Sequence, residues 1–431
     1  MSICAPYPQA RSAARGLADG HETGRRSWPF SARLLSAPLT LTLRSGHIAT
    51  ESSPPETPTH RMNTPPSPPG AERTDESAVR IGALVPLTRP GWVEAGQHLL
   101  AGLELAVCEV NDTGGIVGRP LELMVRDTAA DPQRAAAAVD ELARLGVAAL
   151  AGEYHSVVAR AAAARADALG LPFLCSSAVL DALTEQPTTW VARLAPAQSH
   201  GWQIYADFLL SAGHSRIAVA AESSVYWAAG ARILRDYLAP RGGTVIELDV
   251  RSLAPTAVCD ELVDNHATAL LLLVGHPEPA VSIVKSVRHD HRLVEIMIGA
   301  PAGQPEFAEW ARLLGEDSAA IPFLRHLPER LSPLGARVET ALRERLGEAP
   351  SFVAFEGYDT VAVLADVLRS HGVDRARTAE SWPRVGVEGT RGQIRFSRTP
   401  GISVWQWAWT PIQVVDRDPA QPDRFRILHA S

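Results

Sequence analysis

The chain has 431 residues, of which 46% are hydrophobic and 21% are charged, and its formal net charge is −7. This length exceeds what one ordinary hydrophobic core fills, so we expect two domains or lobes. A pI near 6.1 argues against a nucleic-acid partner, which would need a clustered basic surface. The sequence contains no apolar run long enough for membrane insertion, and its four separated cysteines form no CxxC pair that would indicate a thiolate metal site.

Residues 1–78 differ in composition from the remainder. They include "SSPPETPTH" and "NTPPSPPGAER", whose Pro, Ser, Thr and charged residues predict a disordered leader. Arg25 and Arg26 precede "LLSAPLTLTL", which is reminiscent of a secretory signal. Pro38 interrupts that apolar segment and no A-x-A-like cleavage site follows, so the export signal is not convincing and Met62 is an alternative start.

From Val79 onward the sequence alternates between strand and helix patterns. The apolar segments "VRIGALVPL", "LELMVRD", "VAALAG" and "LPFLCSS" predict strands, and the segments between them have helical spacing. Asp131 and Pro132 predict the start of one helix, and Gly146 predicts its end. Strands separated by helices of this length require a parallel sheet that is covered on both faces.

The same alternation restarts after the segment "PAQSHG". Strands are predicted at "SRIAVAAES", "TVIELDV", "ATALLLLVG" and "VEIMIGA", again with helices between them. We therefore expect an α/β fold with two doubly wound parallel-sheet lobes joined by a hinge. Helical patterns at 333–346 and 351–370 precede "GQIRFSRTPGISVWQWAWTPIQVV", which predicts hairpin-like strands.

Polar and aromatic residues follow several of these predicted strands. In open parallel sheets, ligands bind in the crevice outside the carboxyl ends of the strands. The candidate binding residues at these positions are Trp92, Glu153, Tyr154, His155, Ser156, Ser176, Ser177, Tyr226, His276 and Glu278. Individually, Ser156 is explained as a helix cap and Glu278 by the helix dipole. Their joint placement at both crevices predicts a binding surface for a small solute.

Three segments also carry a resemblance to a known family. "IGALVPLTRPG", "NDTGGIVGRPLELMVRDTAADP" and "FVAFEGYDTVAVLADVL" resemble the type I periplasmic solute-binding proteins, and more narrowly the leucine/isoleucine/valine-binding family of ABC transporters. The resemblance covers about residues 79–415. It implies one lobe from residues 79–196 and 323–382, and a second from 197–322 and 383–431. Chain crossings are then expected near 195–198, near 320 and near 382, and the hinge closes over the ligand.

The resemblance also assigns roles to individual residues. Ser156 corresponds to the serine that receives the ligand carboxylate at a helix start, and Ser177 corresponds to a neighbouring contact. Tyr226 matches the tyrosine of the second lobe. Glu278 best matches the acid that holds the ligand ammonium, with His276 as a competing choice.

The sequence departs from the family pattern at several of these points. Val179 replaces a hydroxyl residue, Ala95 replaces an aromatic residue before Gly96, and Trp92 is a possible substitute for that aromatic. Glu153 beside the carboxylate position would repel a second anion. We therefore expect a solute with an amide, a hydroxyl or a second positive group rather than a simple branched-chain amino acid.

The sequence does not predict an enzyme. It contains no GxSxG, HExxH or Walker A string, and adjacent residues such as His155 and Ser156 do not normally face each other as base and nucleophile. The fourteen histidines do not cluster at metal-ligand spacing, so we expect neither a metal nor a cofactor. Two binding roles remain open. One is an extracytoplasmic receptor that passes its solute to an ABC permease, and the other is a cytoplasmic sensor that acts on a regulatory protein, of the amide-responsive type.

Overall fold

The computed structural model describes residues 78–430. The expected leader and the question of an export signal therefore lie outside the described residues. Within 78–430, no helix is both long and apolar enough to span a membrane. The described residues form an α/β fold with two lobes, as predicted.

The first lobe starts with alternating strands and helices. These are β1 (Val79–Val85), α1 (Val93–Asp112), β2 (Leu121–Asp127), α2 (Pro132–Arg144), β3 (Ala149–Gly152), α3 (Ser156–Ala168), β4 (Phe173–Cys175) and β5 (Val191–Arg193). Asp131 caps α2 as predicted, because its carboxylate accepts hydrogen bonds from the backbone N–H groups of Gln133 and Arg134.

The second lobe repeats this alternation. It contains α4 (Gln198–Ser211), β6 (Arg216–Ala221), α5 (Val225–Leu238), β7 (Thr244–Asp249), α6 (Pro255–Asp264), β8 (Ala269–Leu273), α7 (Ala280–His289), β9 (Met297–Gly299), α8 (Ala308–Leu314) and β10 (Phe323–Arg325).

The C-terminal part begins with helices and ends with strands. Its elements are α9 (Pro333–Leu346), α10 (Phe352–His371), α11 (Arg375–Glu380), β11 (Val387–Gly389), β12 (Gly392–Ile394), β13 (Phe396–Ser397), β14 (Trp405–Trp407), β15 (Gln413–Asp418) and β16 (Gln421–Ala430). The two long helices and the strands that follow them match the sequence expectation.

The strands form two large sheets, one in each lobe. The first sheet has the order β13-β14-β5-β4-β3-β1-β2, and all its neighbours are parallel except β13 and β14. The second sheet has the order β7-β6-β8-β9 and is parallel throughout. An antiparallel sheet of β10, β15 and β16 and a β11–β12 hairpin complete the fold.

The strand pairing departs from one of the three expected chain crossings. The chain leaves the first sheet after β5, close to the predicted 195–198, and it returns to the first lobe after β10, which ends at Arg325, close to the predicted 320. Its third crossing lies at 408–412, between β14 and β15, and not near 382. Residues 387–407 were expected in the second lobe, yet β14 pairs with β5, where Arg193 Nε donates to Gln406 Oε1 over 2.7 Å.

Helices cover both faces of each sheet. In the first sheet, Ile81 and Ala83 pack toward α1 and α10, whereas Leu84 packs toward α2 and α3. In the second sheet, Ala218 and Ile217 likewise face opposite hydrophobic clusters. This two-sided burial explains why the strands read as continuous apolar runs.

Two glycines allow α1 and α10 to approach each other backbone to backbone. A Cβ atom at Gly102 would lie 1.9 Å from the carbonyl oxygen of Ala354, and one at Gly357 would lie 2.3 Å from that of Leu99. Trp92 immediately precedes α1 and Phe352 begins α10. The close helix contact therefore fixes these two aromatic residues with respect to each other.

Candidate ligand-binding site

A cavity of about 380 Å³ lies between the two lobes, at the carboxyl ends of the strands. The loops after β1, β3 and β4 supply its first-lobe wall, which includes Trp92, Tyr154, His155, Ser156, Ser177 and Val179. The second-lobe wall comes from the start of α4 and from the loops after β6, β8 and β9, and includes Gln198, Trp202, Tyr226, Trp227, His276 and Gln304. This is the crevice position expected for a doubly wound fold.

The structure brings most of the predicted binding residues to this cavity. The predicted residues in its lining are Trp92, Tyr154, His155, Ser156, Ser177, Tyr226 and His276. Glu153, Ser176 and Glu278 are not part of the lining. Their placement has a separate structural explanation in each case, and the binding roles of the seven lining residues stay predictions.

Glu153 is fully buried and shapes the turn between β3 and α3. Its Oε2 accepts from the hydroxyl of Thr128 over 2.7 Å, and its Oε1 accepts from the backbone N–H groups of Tyr154 and His155 over 2.9 Å each. The carboxylate is thus occupied by the protein itself. The expectation that Glu153 faces the ligand is therefore not met, because the residue is absent from the cavity lining.

Ser176 and Glu278 are also engaged elsewhere. Ser176 is fully buried, and its hydroxyl accepts from Gly152 N over 3.1 Å and pairs with the Thr360 hydroxyl at 2.8 Å. Glu278 is exposed and its Oε2 accepts from Ser282 N over 3.2 Å near the start of α7. The position of Glu278 is therefore explained by its interaction with the start of α7. Glu278 does not line the cavity, where the resemblance implies that it would bind the ligand ammonium.

Ser156 holds the loop that follows β4. Its hydroxyl oxygen accepts from the backbone N–H groups of Val179 over 3.2 Å and Leu180 over 3.3 Å. The residue is the first of α3, while His155 occupies the N-cap position without a side-chain cap. Ser156 therefore connects the start of α3 to the loop after β4, and it does not act as a helix cap. Its hydroxyl hydrogen remains available for donation.

Aromatic rings form much of the cavity. Trp92 of the first lobe stacks on His276 of the second, with ring centroids 5.0 Å apart, and meets Tyr154 edge to face at 5.7 Å. In the second lobe, Tyr226 lies 6.0 Å from Trp202 and 4.6 Å from Trp227 between ring centroids. Aromatic walls of this kind pack well against a flat, apolar part of a ligand.

The cavity carries no permanent charge. Among residues 78–430, no Asp, Glu, Lys or Arg lines it. Burial raises the pKa of the Tyr154 and Tyr226 phenols, so both stay protonated. Burial also lowers the pKa of His276, although Glu309, whose Oε2 lies 3.5 Å from Nε2, opposes that shift.

Six side-chain nitrogen and oxygen atoms in the lining lack a hydrogen-bond partner in the described structure. They are Trp92 Nε1, Ser177 Oγ, Gln198 Oε1, Gln304 Oε1 and both ring nitrogens of His276, of which Nε2 lies 3.5 Å from Glu309 Oε2. Buried polar atoms are nearly always paired in native proteins, so these atoms are open to pairing with a ligand or with ordered water.

The two glutamines were missed by the sequence analysis. Gln304 lies shortly after β9, so the rule that placed the other residues at strand ends would have found it. Gln198 opens α4 after β5, at the same distance from its strand end as Gln304, so the same rule would have found it as well.

Outside the cavity, each lobe provides a carboxylate to a helix start of the other. Glu94 at the start of α1 accepts from Ala308 N over 2.7 Å and Glu309 N over 3.1 Å, at the start of α8. Glu306 of the second lobe accepts from Phe352 N over 3.1 Å, at the start of α10. We call these two contacts the helix clasps. Both contacts join the two lobes, and each places a carboxylate where the positive end of a helix dipole lies.

Glu94 also belongs to the group that most resembles a metal site in the described residues. One ligand atom from each of Glu94, His98 and Glu348 lies within 4.8 Å of the others. His98 Nδ1 accepts from Ser351 N over 2.9 Å, and Nε2 lies 3.0 Å from Glu348. Since Nδ1 is occupied as an acceptor, Nε2 carries the proton toward Glu348 and no ring lone pair is free for an ion.

Comparison with known proteins gives the same picture. A family model described as a periplasmic binding protein matches residues 78–408. The chain belongs to this periplasmic binding protein family. Its fold accordingly consists of two hinged α/β lobes, and the resemblance derived from the sequence is confirmed.

One curated relative and two solved structures illustrate the similarity. A Leu/Ile/Val-binding protein homolog of Brucella abortus is 30% identical over 132 residues, which are 31% of this chain and 32% of that relative. The chain thus spans about a third of the length of the curated relative that it matches.

The solved structures match over a larger share of their length. The leucine-binding protein LivK of Thermotoga maritima has a TM-score of 0.70 at 19% identity, covering 81% of this chain and 97% of that one. A solute-binding protein of an ABC transporter from R. palustris, in complex with benzoate, has a TM-score of 0.69 at 16% identity and covers 82% and 96%. At these identities the two structures establish the fold alone. All three relatives are named as binding proteins, in agreement with the prediction that this chain is not an enzyme.

Proposed function

We propose that this chain is the solute-binding component of an ABC transporter and that it passes a captured solute to a membrane permease. Family membership supports this role, and the cavity between two clasped lobes is where such a protein holds its ligand. The relatives described above are named for solute binding, and none of them favours the sensor alternative. A periplasmic family also favours an extracytoplasmic location over a cytoplasmic one.

We further propose that the ligand is a small aromatic carboxylate rather than an α-amino acid or its amide. The observation that carries this proposal is the neutral aromatic lining of the cavity. An ammonium group placed there would lose its hydration without gaining a carboxylate partner, which is costly. A carboxylate, in contrast, is suited to the start of α3 and to the hydroxyls of Ser156 and Ser177. The benzoate complex of the R. palustris protein shows that another protein of this fold holds such a ligand.

Calorimetry on the purified protein tests the ligand class. We expect saturable binding of benzoate or a substituted benzoate, and no measurable binding of leucine at the same concentration. Thermal denaturation provides a second readout, because a ligand at 100 times its Kd stabilises the folded state by about 2.7 kcal/mol. Tight leucine binding without benzoate binding would refute the ligand class while leaving the transport role intact.

Cell fractionation tests the transport role separately. A solute receptor is expected in the envelope or secreted fraction, and loss of the gene should reduce uptake of the radiolabelled ligand. Recovery of the protein only from the soluble lysate, with uptake unchanged, would favour the sensor.

A further inference from the structure

We infer that Gln198 and Gln304 form a pair of hydrogen-bond acceptors that selects ring-hydroxylated aromatic carboxylates over unsubstituted ones. This inference rests on the proposed function and specifies its substrate further. It concerns the second-lobe wall of the cavity, which the family resemblance represented only by Tyr226, His276 and Glu278.

The amide of Gln198 is held in a fixed orientation. The residue is 1% exposed, and its Nε2 donates to the carbonyl oxygen of Tyr226 over 3.0 Å. Because the nitrogen end of the amide is committed to an acceptor, the oxygen end is defined as well. That Oε1 has no partner in the described structure, and the residue lines the cavity.

Gln304 repeats this arrangement from a different part of the chain. It is also 1% exposed, and its Nε2 donates to the carbonyl oxygen of Val274 over 3.2 Å. Its Oε1 is buried without a partner, and the residue lines the same cavity. Two independent segments of the second lobe therefore each contribute a lining residue with an unpaired, buried amide oxygen, which can only accept.

A buried acceptor of this kind discriminates between ligands. A carboxylate oxygen would repel it, and a hydrocarbon edge would leave it unpaired, which is the larger part of the cost of a lost hydrogen bond. A hydroxyl group donates to it and restores the pairing. Sites built for a ligand hydroxyl reject analogues that lack it far more strongly than apolar pockets reject an added or missing methylene.

The first-lobe wall has the opposite polarity, which gives the ligand a direction. Trp92 Nε1 can only donate, and the Ser177 hydroxyl, also unpartnered, is able to donate. These groups suit a carboxylate, as does the start of α3. The geometry thus directs the carboxylate toward the first lobe and the ring hydroxyl toward Gln198 and Gln304 of the second lobe.

The test is a calorimetric series on the unmodified protein with benzoate, 3-hydroxybenzoate, 4-hydroxybenzoate and 3,4-dihydroxybenzoate. We expect at least one hydroxylated acid to bind about tenfold or more tightly than benzoate, the size expected for pairing one or two buried acceptors. Equal affinities across the series would overturn the inference, because they would show that the ring hydroxyl does not pair with Gln198 Oε1 or Gln304 Oε1. The proposed function would survive that outcome, whereas failure of every aromatic acid to bind would overturn both.

Two variants locate the effect. Gln198→Leu and Gln304→Leu should each reduce the ratio of the affinity for the hydroxylated acid to the affinity for benzoate, both measured on the same variant. Circular dichroism and thermal denaturation show that the variant is folded. Gln133→Leu, at an exposed position on α2, is the matched control and should change neither affinity. A preference that persists in both cavity variants would overturn the inference by placing the hydroxyl elsewhere. If a variant fails to fold, the ligand series on the unmodified protein still decides the question.

Discussion

The turn between β3 and α3 and the turn between β8 and α7 occupy corresponding positions in the two lobes, yet they use their acidic residues in opposite ways. In the first lobe, Glu153 is buried and binds the backbone of its own turn. In the second lobe, Glu278 is exposed and caps the beginning of α7. Neither carboxylate reaches the cavity between them. The cavity is therefore without an acidic side chain for two different reasons, because one acid is buried in its own turn and the other is exposed to solvent.

The two walls of the cavity also differ in the hydrogen-bonding groups that they offer. The first-lobe turn leaves hydroxyl and N–H groups around the cavity, and the second-lobe wall contributes a histidine ring and two amide oxygens. The absence of charge from the lining therefore depends on the directions of Glu153 and Glu278, and not on the sheets that carry these turns.

The largest expected effect comes from removing the buried acid. Glu153→Ala would leave one hydroxyl and two backbone N–H groups without their acceptor, so we expect a loss of about 3 kcal/mol in the free energy of unfolding. Glu278→Ala is the matched control in the other lobe and should cost less than about 0.5 kcal/mol, as an exposed substitution. Urea denaturation of both variants measures the contrast. Equal losses would show that the two turns do not differ as described.

Ser156 and Ser177 allow the next comparison, within the first-lobe wall. Ser156→Ala removes the acceptor for Val179 N and Leu180 N as well as a ligand donor, so we expect ligand affinity to fall by about 1–3 kcal/mol together with stability. Ser177→Ala should lower affinity but leave stability nearly unchanged, since its hydroxyl has no protein partner in the described structure. Calorimetry and thermal denaturation of both variants separate the two roles. Unaltered affinity in either variant would remove that serine from the site.

A smaller effect is expected at the helix clasp of Glu94. Glu94→Gln keeps the shape of the side chain but removes the charge that faces the start of α8, which should weaken closure by about 1 kcal/mol. The Kd should rise accordingly, by about fivefold, mainly through faster ligand release. Glu122→Gln, which alters an ion pair with Arg80 inside the first lobe, serves as control. Stopped-flow release rates that match the control would show that the clasp does not hold the closed state.

The smallest effect concerns pH and His276. Burial lowers the pKa of this histidine in the closed protein, with Arg89 acting in the same direction and Glu309 and Glu278 opposing. The closed state therefore binds the proton less readily than an open state with an ordinary pKa near 6.5, so closure weakens as the pH falls below about 6.5. Ligand Kd values at pH 7.5 and 5.5 should differ more in the native protein than in His276→Gln. Identical pH profiles would refute this assignment.

Local sequence patterns were sufficient to predict the helices and strands of the fold. The helical pattern at 333–346 coincides with α9, and the strand-end rule led to seven of the residues that line the cavity. The direction of each side chain could not be obtained in this way. Glu153 and Ser156 are three residues apart, yet the first turns inward because Thr128, which is distant in sequence, donates to it.

The misplaced crossing has the same physical origin. The third crossing moved from 382 to 408–412 because β14 pairs with β5, and the partners Arg193 and Gln406 are far apart along the chain. Long-range pairing of this type leaves no trace in local periodicity.

The close approach of α1 and α10 at Gly102 and Gly357 fixes the backbone of the first-lobe face of the cavity. Trp92 and Phe352 lie at the N-terminal ends of these two helices, so a change that separates α1 from α10 would also change the distance between the two aromatic residues. Substitutions that widen the cavity are therefore expected in the second-lobe wall, at Trp202, Tyr226 or Trp227.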